Sequence, residues 1–294
     1  MKKKVCIFSG SRSEYGILHN LILNLEKNKL FDLHLLISGS HLYKKYGSSF
    51  DNISKDKIKN LHKVDINLSK ETSNLILESI SVGFKKFKKT LNKMKPDIII
   101  VLGDRYELLP IVISSFYLNI PIAHIHGGEK TYGSQDDSVR HAVTKFSNYH
   151  FVANQEYKKR VIQLGENPNN IYVVGSLSIE NINKYQFYSL SKIKKLIKIN
   201  NLKNKNYFLV ALHPYKQEKK NILKDIKILL NVLKNIKNIN LIFTYPNHDI
   251  NSDLIINEIE SFNKKHNNSF LFKNLGRKLF LSVMKHSLLL IGNS

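Results

Sequence analysis

The apolar positions of this chain fall into short unbroken runs, separated by longer stretches with helical spacing. The run at 97–102, in DIIIVLGD, has no polar alternation, which is the pattern of a strand covered on both faces. Similar runs predict strands over 5–8, 33–37, 120–125, 149–152 and 171–174. Between them the spacing predicts helices over 14–27, 72–92, 107–118, 138–147 and 155–164. Alternation of this kind means a parallel, doubly wound sheet, and residues 1–177 read as a first domain. From 180 to 206 the chain turns polar and lysine-rich and reads as a linker plus one helix. A second alternation follows, with strands over 207–212, 240–245, 270–272 and 288–291 and helices over 219–233, 254–266 and 277–285. Residues 178–294 thus form a second domain. The expected architecture is α/β, two Rossmann-like doubly wound domains facing each other across a cleft.

The last residues, IGNS, place a helix N-cap type, Ser294, directly after a strand with no helix behind it. The second domain also has four expected strands against six in the first. The expectation is a second domain lacking its final part.

Ligands of doubly wound sheets bind outside the carboxyl ends of the strands, so the strand ends are where chemistry is sought. SGSRSEYG (9–16) follows the first strand and opens a helix, and free N–H groups at a helix start attract phosphate. Arg12 is placed to hold a diphosphate oxygen or a base. The stretch is not G-x-G-x-x-G, and a plain strand–helix turn capped by Ser13 is the alternative. GDRYE (103–107) puts Asp104 on a glycine turn, as a cleft-facing carboxylate, a helix cap or an ion-pair partner of Arg105.

HIHGGE (124–129) ends the next strand, and strand alternation puts His124 and His126 on the same face. An H-x-H pair is also a metal-binding pattern, with Asp136 or Asp137 as further ligands, but the incomplete ligand set weighs against a metal, and the alternative is that one imidazole is packed while the other faces the cleft. In DDSVRHAVTK (136–145) one aspartate caps a helix and Arg140 lies one turn on. In ALHPYKQE, His213 ends the first strand of the second domain, as an acid/base or phosphate group or as a plain surface histidine. TYPNHD (244–249) is a turn by composition and carries Asn247 and Asp249. Carboxylates from two strand ends with a histidine from the other domain point to proton transfer on a ligand in the cleft.

Composition narrows the classes. Of 294 residues 42% are hydrophobic, enough for a real core, and no apolar run reaches the roughly 18 residues of a membrane span. MKKKVCIFSG has a basic start but no long apolar segment or cleavage site, so it reads as a first strand rather than a signal peptide. One cysteine, Cys6, excludes an internal disulfide, and the cytoplasm is the default compartment. The 46 Lys and Arg against 23 Asp and Glu give a formal charge of +23. The lysines are scattered with Asn and Ile through helices, without an arginine–aromatic patch, so a solvated basic surface is favoured over a nucleic-acid-binding protein.

Taken together, SGSRSEYG, VLGDRYE, IPIAHIHGGEKT, DDSVRHAVTK, EYKKRVIQLGE, VVGSLSIEN, ALHP and LIGNS resemble the hydrolysing UDP-N-acetylglucosamine 2-epimerases, in particular the bacterial branch that makes N-acetylmannosamine for sialic acid. The resemblance runs over essentially the whole chain. It implies a GT-B-like fold with a UDP-sugar in the cleft, no metal and no redox cofactor, no nucleic-acid or membrane partner, and a homodimer or homotetramer. It also implies a reaction in which a base removes the C2 proton as UDP leaves C1, and water then adds to the glycal with inversion at C2. By motif position Asp104, Asp136 and His213 take catalytic roles, His213 near the leaving phosphate. Arg12 and Arg140 bind nucleotide or substrate, with Asn247, Asp249 and Ser294. Many relatives have glutamate where this chain has His126. Glu129 is expected to take that carboxylate role, with His126 the alternative. Relatives continue beyond GNS with a segment that holds diphosphate and ribose, so a chain ending there is expected to turn over weakly.

The same reaction on UDP-2,4-diacetamido-2,4,6-trideoxyglucose, of the legionaminic acid pathway, stays open. So does a glycosyltransferase of the same architecture.

Overall fold

Successive side chains of a strand point to opposite faces, and in β1 (Lys3–Ser9) both sets are apolar, so the strand must be covered on both sides. Val5 and Ile7 pack on one face with Tyr15, Leu18 and Ile22 of α1 (Arg12–Lys27). Cys6 and Phe8 pack on the other with Phe87 and Leu91, which belong to a later helix. The computed structural model describes residues 2–43, 50–67, 73–132, 134–183, 185–214, 219–246 and 251–293.

The chain divides into two units, Met1–Lys184 and Tyr185–Ser294. In the first, β1 and α1 are followed by β2 (Phe31–Ile37), α2 (Phe50–Lys55), β3 (Asn60–Lys63), α3 (Ser73–Met94), β4 (Ile98–Leu102), α4 (Leu108–Tyr117), β5 (Ile122–Ile125), α5 (Gln135–Phe146), β6 (Tyr149–Val152), α6 (Gln155–Gln163), β7 (Ile171–Val173) and α7 (Leu177–Asn183). The strands form one parallel sheet in the order β3-β2-β1-β4-β5-β6-β7. The order reverses between β1 and β4, which puts the crevice of a doubly wound sheet at the carboxyl ends of those two strands. Helix α7 packs on α1 and belongs to this unit.

The second unit holds α8 (Leu190–Ile197), β8 (Tyr207–Ala211), α9 (Lys219–Leu233), β9 (Asn240–Thr244), α10 (Ser252–Lys265), β10 (Ser269–Phe272), α11 (Gly276–His286) and β11 (Leu289–Gly292). Its parallel sheet runs β10-β9-β8-β11, so its order reverses between β8 and β11. Val210, Leu241 and Phe243 bury one face against Ile222, Ile226, Ile255 and Ile259 of α9 and α10. Tyr207, Leu209 and Ile242 bury the other against Ile193 and Ile197 of α8 and Val283 of α11. No helix among the described residues is long and apolar enough to cross a membrane.

The first sheet has seven strands rather than six. The added one, β3, is the four-residue segment NLHK at the sheet edge, three of its residues half-buried and the last exposed. One leucine among polar residues leaves no period-two signal, and only pairing to His34–Ile37 of β2 makes it a strand. The polar stretch 180–206 holds two helices rather than one, the end of α7 and the whole of α8, which Ser189 caps and Lys198 closes in the left-handed conformation.

Candidate active site

At the switch point of the first sheet, the turn leaving β1 closes on itself. Ser11 caps α1, accepting from Glu14 N, and the Glu14 carboxylate accepts from Ser11 N at 3.1 Å and Gly10 N at 2.6 Å. This is a capping box, so the cap is Ser11 rather than Ser13, and Glu14 fills N–H groups that a phosphate was expected to use. Glu14 is buried, and burial pushes its carboxyl up to about 7, against lowering by Arg105 and the two backbone bonds. Beside it Glu107 is wholly buried and takes two parallel bonds from Arg105, Nε to Oε2 at 3.1 Å and Nη2 to Oε1 at 3.0 Å. Arg105 therefore pairs with Glu107, leaving Asp104 for another partner. Arg12, the first residue of α1, is exposed and has no ion pair among the described residues.

That other partner is Arg140, from the buried face of α5, whose Nη2 donates to Asp104 Oδ2. The Arg140 guanidinium is nearly inaccessible, and its burial lowers its pKa from the ordinary arginine value. Nη1 donates to Thr131 Oγ1 at 3.1 Å and lies 3.6 Å from Asp137 Oδ1, while Nε has no hydrogen-bond partner among the described residues. Asp137 also accepts from Thr131 N at 2.7 Å and lies 3.5 Å from His141 Nε2. Asp104 at the tip of β4 is thus tied to the start of α5. That helix is capped by Ser134, not by an aspartate. Asp136 is exposed in the first turn, and its carboxylate forms no hydrogen bond or ion pair with Asp104 or Arg140.

The two histidines of HIHGGE do not share a face. His124 lies within β5, wholly buried, bonded through Nε2 to Gly103 O at 2.8 Å and through Nδ1 to Thr144 Oγ1 at 3.2 Å. Burial lowers its pKa to about 3, so it is a neutral ring filling the core. His126 lies beyond the last strand residue at φ 65°, a left-handed conformation that takes it off the alternation of the strand. Its Nδ1 is 2.5 Å from Glu129 Oε1, and its Nε2 is buried with no hydrogen-bond partner among the described residues. With His124 held by Gly103 and Thr144, the H-x-H pair does not converge on a metal site. The turn depends on Gly128, at φ 76°, where a Cβ would lie 2.5 Å from Tyr157 O. Arg160 donates to Gly128 O from α6 and holds it there.

In the second unit, His213 follows β8 and Asn293 follows β11, at that sheet's own switch point. The two are cross-tied: His213 N donates to Asn293 Oδ1 at 2.9 Å, and Asn293 Nδ2 to His213 O at 2.7 Å. Asn247, Asp249 and Ser294 lie outside the described residues.

A family model described as UDP-N-acetylglucosamine 2-epimerase matches residues 23–294. A GDP/UDP-N,N'-diacetylbacillosamine 2-epimerase (hydrolyzing) of Campylobacter jejuni is 37% identical over all of this chain and 76% of its own length. The chain belongs to the UDP-N-acetylglucosamine 2-epimerase family. Polysialic acid biosynthesis protein P7 of Escherichia coli is 36% identical over 99% of this chain and 74% of its own length. The crystal structure of UDP-GlcNAc 2-epimerase from Neisseria meningitidis, bound to UDP-GlcNAc, superposes with a TM-score of 0.80 at 20% identity, over 99% of this chain and 78% of that one. The fold is therefore the α/β, GT-B-like fold of the 2-epimerase family.

Of the residues singled out in the sequence, the first unit of this epimerase-family chain brings together Asp104 with Arg140 and His126 with Glu129, on adjacent strand ends whose last registered pair is Leu102 and Ile125. The Asp136 carboxylate forms no hydrogen bond or ion pair with either pair among the described residues. Sequence reasoning passed over Glu14, Glu107 and Thr131, and it offered Asp137 only as a helix cap or a metal ligand beside Asp136. Ser11 and Glu14 were findable, since S-x-x-E before an apolar run is a capping signature. Thr131 carries no such signal.

Proposed function

We propose that this chain converts UDP-N-acetylglucosamine and water to N-acetylmannosamine and UDP in the cytoplasm, for sialic-acid-type surface sugars. The observation that carries this reading is the Asp104 carboxylate, held at the end of β4, beside the sheet's switch point, by the buried Arg140. A proton next to an acetamido group is weakly acidic, so its base must be fixed before the substrate arrives. Arg140 fixes the carboxylate without covering it, since a quarter of the Asp104 side chain remains accessible.

In this reading Asp104 takes the C2 proton as the C1–O bond to UDP breaks and C1=C2 forms. Water then adds to C1 while C2 is protonated from the opposite face, which inverts that centre. The sequence of steps is redox-neutral and asks for no cofactor. Asp136 serves as the carboxylate open to ligand, because Asp137 is committed to Thr131, Arg140 and His141. The acid/base groups are assigned to the first domain, and the nucleotide to Arg12, Asn247, Asp249, Ser294 and the second domain, with His213 near the departing phosphate.

A second reading, the same reaction on UDP-2,4-diacetamido-2,4,6-trideoxyglucose, is favoured by the name of the Campylobacter relative, which is N,N'-diacetylbacillosamine in other words. Both sugars carry the C2 proton and acetamido group that Asp104 would act on, and they differ at C4 and C6. Incubating the protein with each UDP-sugar in deuterated water, and following UDP release and the C2 proton of the product by NMR, decides between them. The proposal expects deuterium at C2 of a released 2-epimer. Release of the unepimerised sugar with hydrogen at C2 overturns it.

A further inference from the structure

The loop after β5 contains two polar groups that face each other and one polar atom that faces nothing. His126 Nδ1 lies 2.5 Å from Glu129 Oε1, and His126 Nε2 is buried without a hydrogen-bond partner among the described residues. A buried nitrogen left bare costs free energy, and native structures rarely leave one without a reason. The residue also sits at φ 65°, a conformation that costs a non-glycine residue on the order of 1–3 kcal/mol and that gathers at functional sites. Local turn chemistry does not ask for it, because Gly127 and Gly128 follow at once and Gly128 already supplies a left-handed turn. What the conformation does is lift the imidazole out of the strand's alternation, away from buried His124, onto the strand end next to the one that carries Asp104.

We infer that His126 and Glu129 form one acid–base unit, with His126 Nε2 as the atom that exchanges a proton with substrate and Glu129 as the positioning group that holds Nδ1–H. This rests on the hydrolytic 2-epimerase reading above and deepens it. The two residues, which compete for one role when read from sequence alone, divide it between them. In the hydration step imidazolium Nε2–H passes its proton to C2, and the C1=C2 pair forms the new C2–H bond. Water bonds to C1 and loses a proton to solvent, and solvent reprotonates the imidazole. The Glu129 carboxylate accepts from Nδ1–H throughout, which fixes the ring's orientation while Nε2 carries the proton.

The test uses full-length wild type, His126→Gln, His126→Glu and Glu129→Gln, with two readouts. The first is steady-state UDP release from UDP-N-acetylglucosamine and from UDP-2,4-diacetamido-2,4,6-trideoxyglucose. His126→Gln is expected to lower kcat by roughly 10²–10³-fold with KM little changed, the size of a lost acid–base group. Glu129→Gln is expected to lower kcat by about 10-fold, and His126→Glu, which restores a proton carrier at that position, to recover most of the loss. Wild-type kcat in His126→Gln overturns the inference. The second readout needs no turnover: ¹⁵N-histidine NMR of the wild type should show Nδ1 of His126 protonated at every pH, and Glu129→Gln should admit the Nε2–H form. An unprotonated Nδ1 in the wild type overturns the dyad, and it does so even if neither UDP-sugar is consumed and the activity reading itself fails. Should His126→Gln misfold, His126→Glu and the spectrum of the wild type still decide.

Discussion

The turn leaving β1 and the connection leaving β5 are both glycine-bearing, charged and placed at the same end of one sheet, yet they treat their polar groups in opposite ways. In the first, Glu14 serves Gly10 N and Ser11 N, Ser9 Oγ lies 2.9 Å from His41 Nε2, and Arg105 closes on Glu107. These groups, drawn from the turn and from the segments that follow β2 and β4, satisfy one another, Glu14 Oε1 being left over among the described residues. In the second, His126 Nε2, Arg140 Nε and His141 Nδ1 are all buried without hydrogen-bond partners among the described residues, and Asp136 stands open. A carboxylate at a strand end is thus not by itself a sign of chemistry. The region whose polar atoms the chain does not satisfy is the one with something left to offer a ligand.

Activity separates the two regions most strongly. Asp104→Asn should lower kcat/KM for the consumed UDP-sugar by about 10³-fold, within the range for a positioned base, while Glu14→Gln should leave it within a few-fold. Equal losses in both variants would erase the distinction. Next in size is a backbone effect. Gly128→Ala forces a Cβ to 2.5 Å from Tyr157 O at φ 76°, whereas Gly103→Ala, at φ 79°, meets nothing within 4 Å. Thermal and urea melts should show about 3 kcal/mol lost for Gly128→Ala, strain plus overpacking, and only about 1 kcal/mol for Gly103→Ala, strain alone.

The buried Glu14 carries a pH signature of the first region. Its carboxyl is raised to about 7, above its unfolded value of 4.5, so the fold favours the protonated form. The stabilisation this gives is complete below the unfolded value and is lost as pH rises through 7, at most a few kcal/mol by linkage. Between pH 5 and 7.5 the wild type should therefore lose stability relative to Glu14→Gln, and parallel denaturation curves at the two pH values would show the assignment to be mistaken. The smallest effect tests the cap. Ser11→Ala should cost about 1 kcal/mol and Ser13→Ala less than about 0.5, as measured by urea midpoint.

These contrasts mark where reading residues in order succeeds and where it stops. The strands β1, β4 and β8 were legible because a strand buried on both faces must be apolar throughout, and a run such as IIIVL has few other uses. The edge strand β3 was not, because half-exposed edge residues leave no period to find. In the site, the groups at strand ends were legible from the rule that places ligands there, and Arg140 was legible as a helix-start arginine. Which acid Arg140 would hold was not, since Asp104 is 36 residues away and Asp137 only three. The assumption that His124 and His126 share a face failed because alternation ends with the strand, one residue before His126.

By itself, then, the sequence determined the parallel α/β layering, the capping box of α1 and the ends of the sheet at which charge would collect. Each of these depends on periodicity or spacing over a few residues, which the chain carries locally. Tertiary structure alone decided that Arg140 pairs with Asp104, that Arg105 turns to Glu107, that one histidine is packed away, and that its near neighbour keeps a bare nitrogen beside Glu129. Those outcomes depend on the register between β4 and β5 and on which face of α5 is buried, and distances set between separate elements have no counterpart in the order of residues.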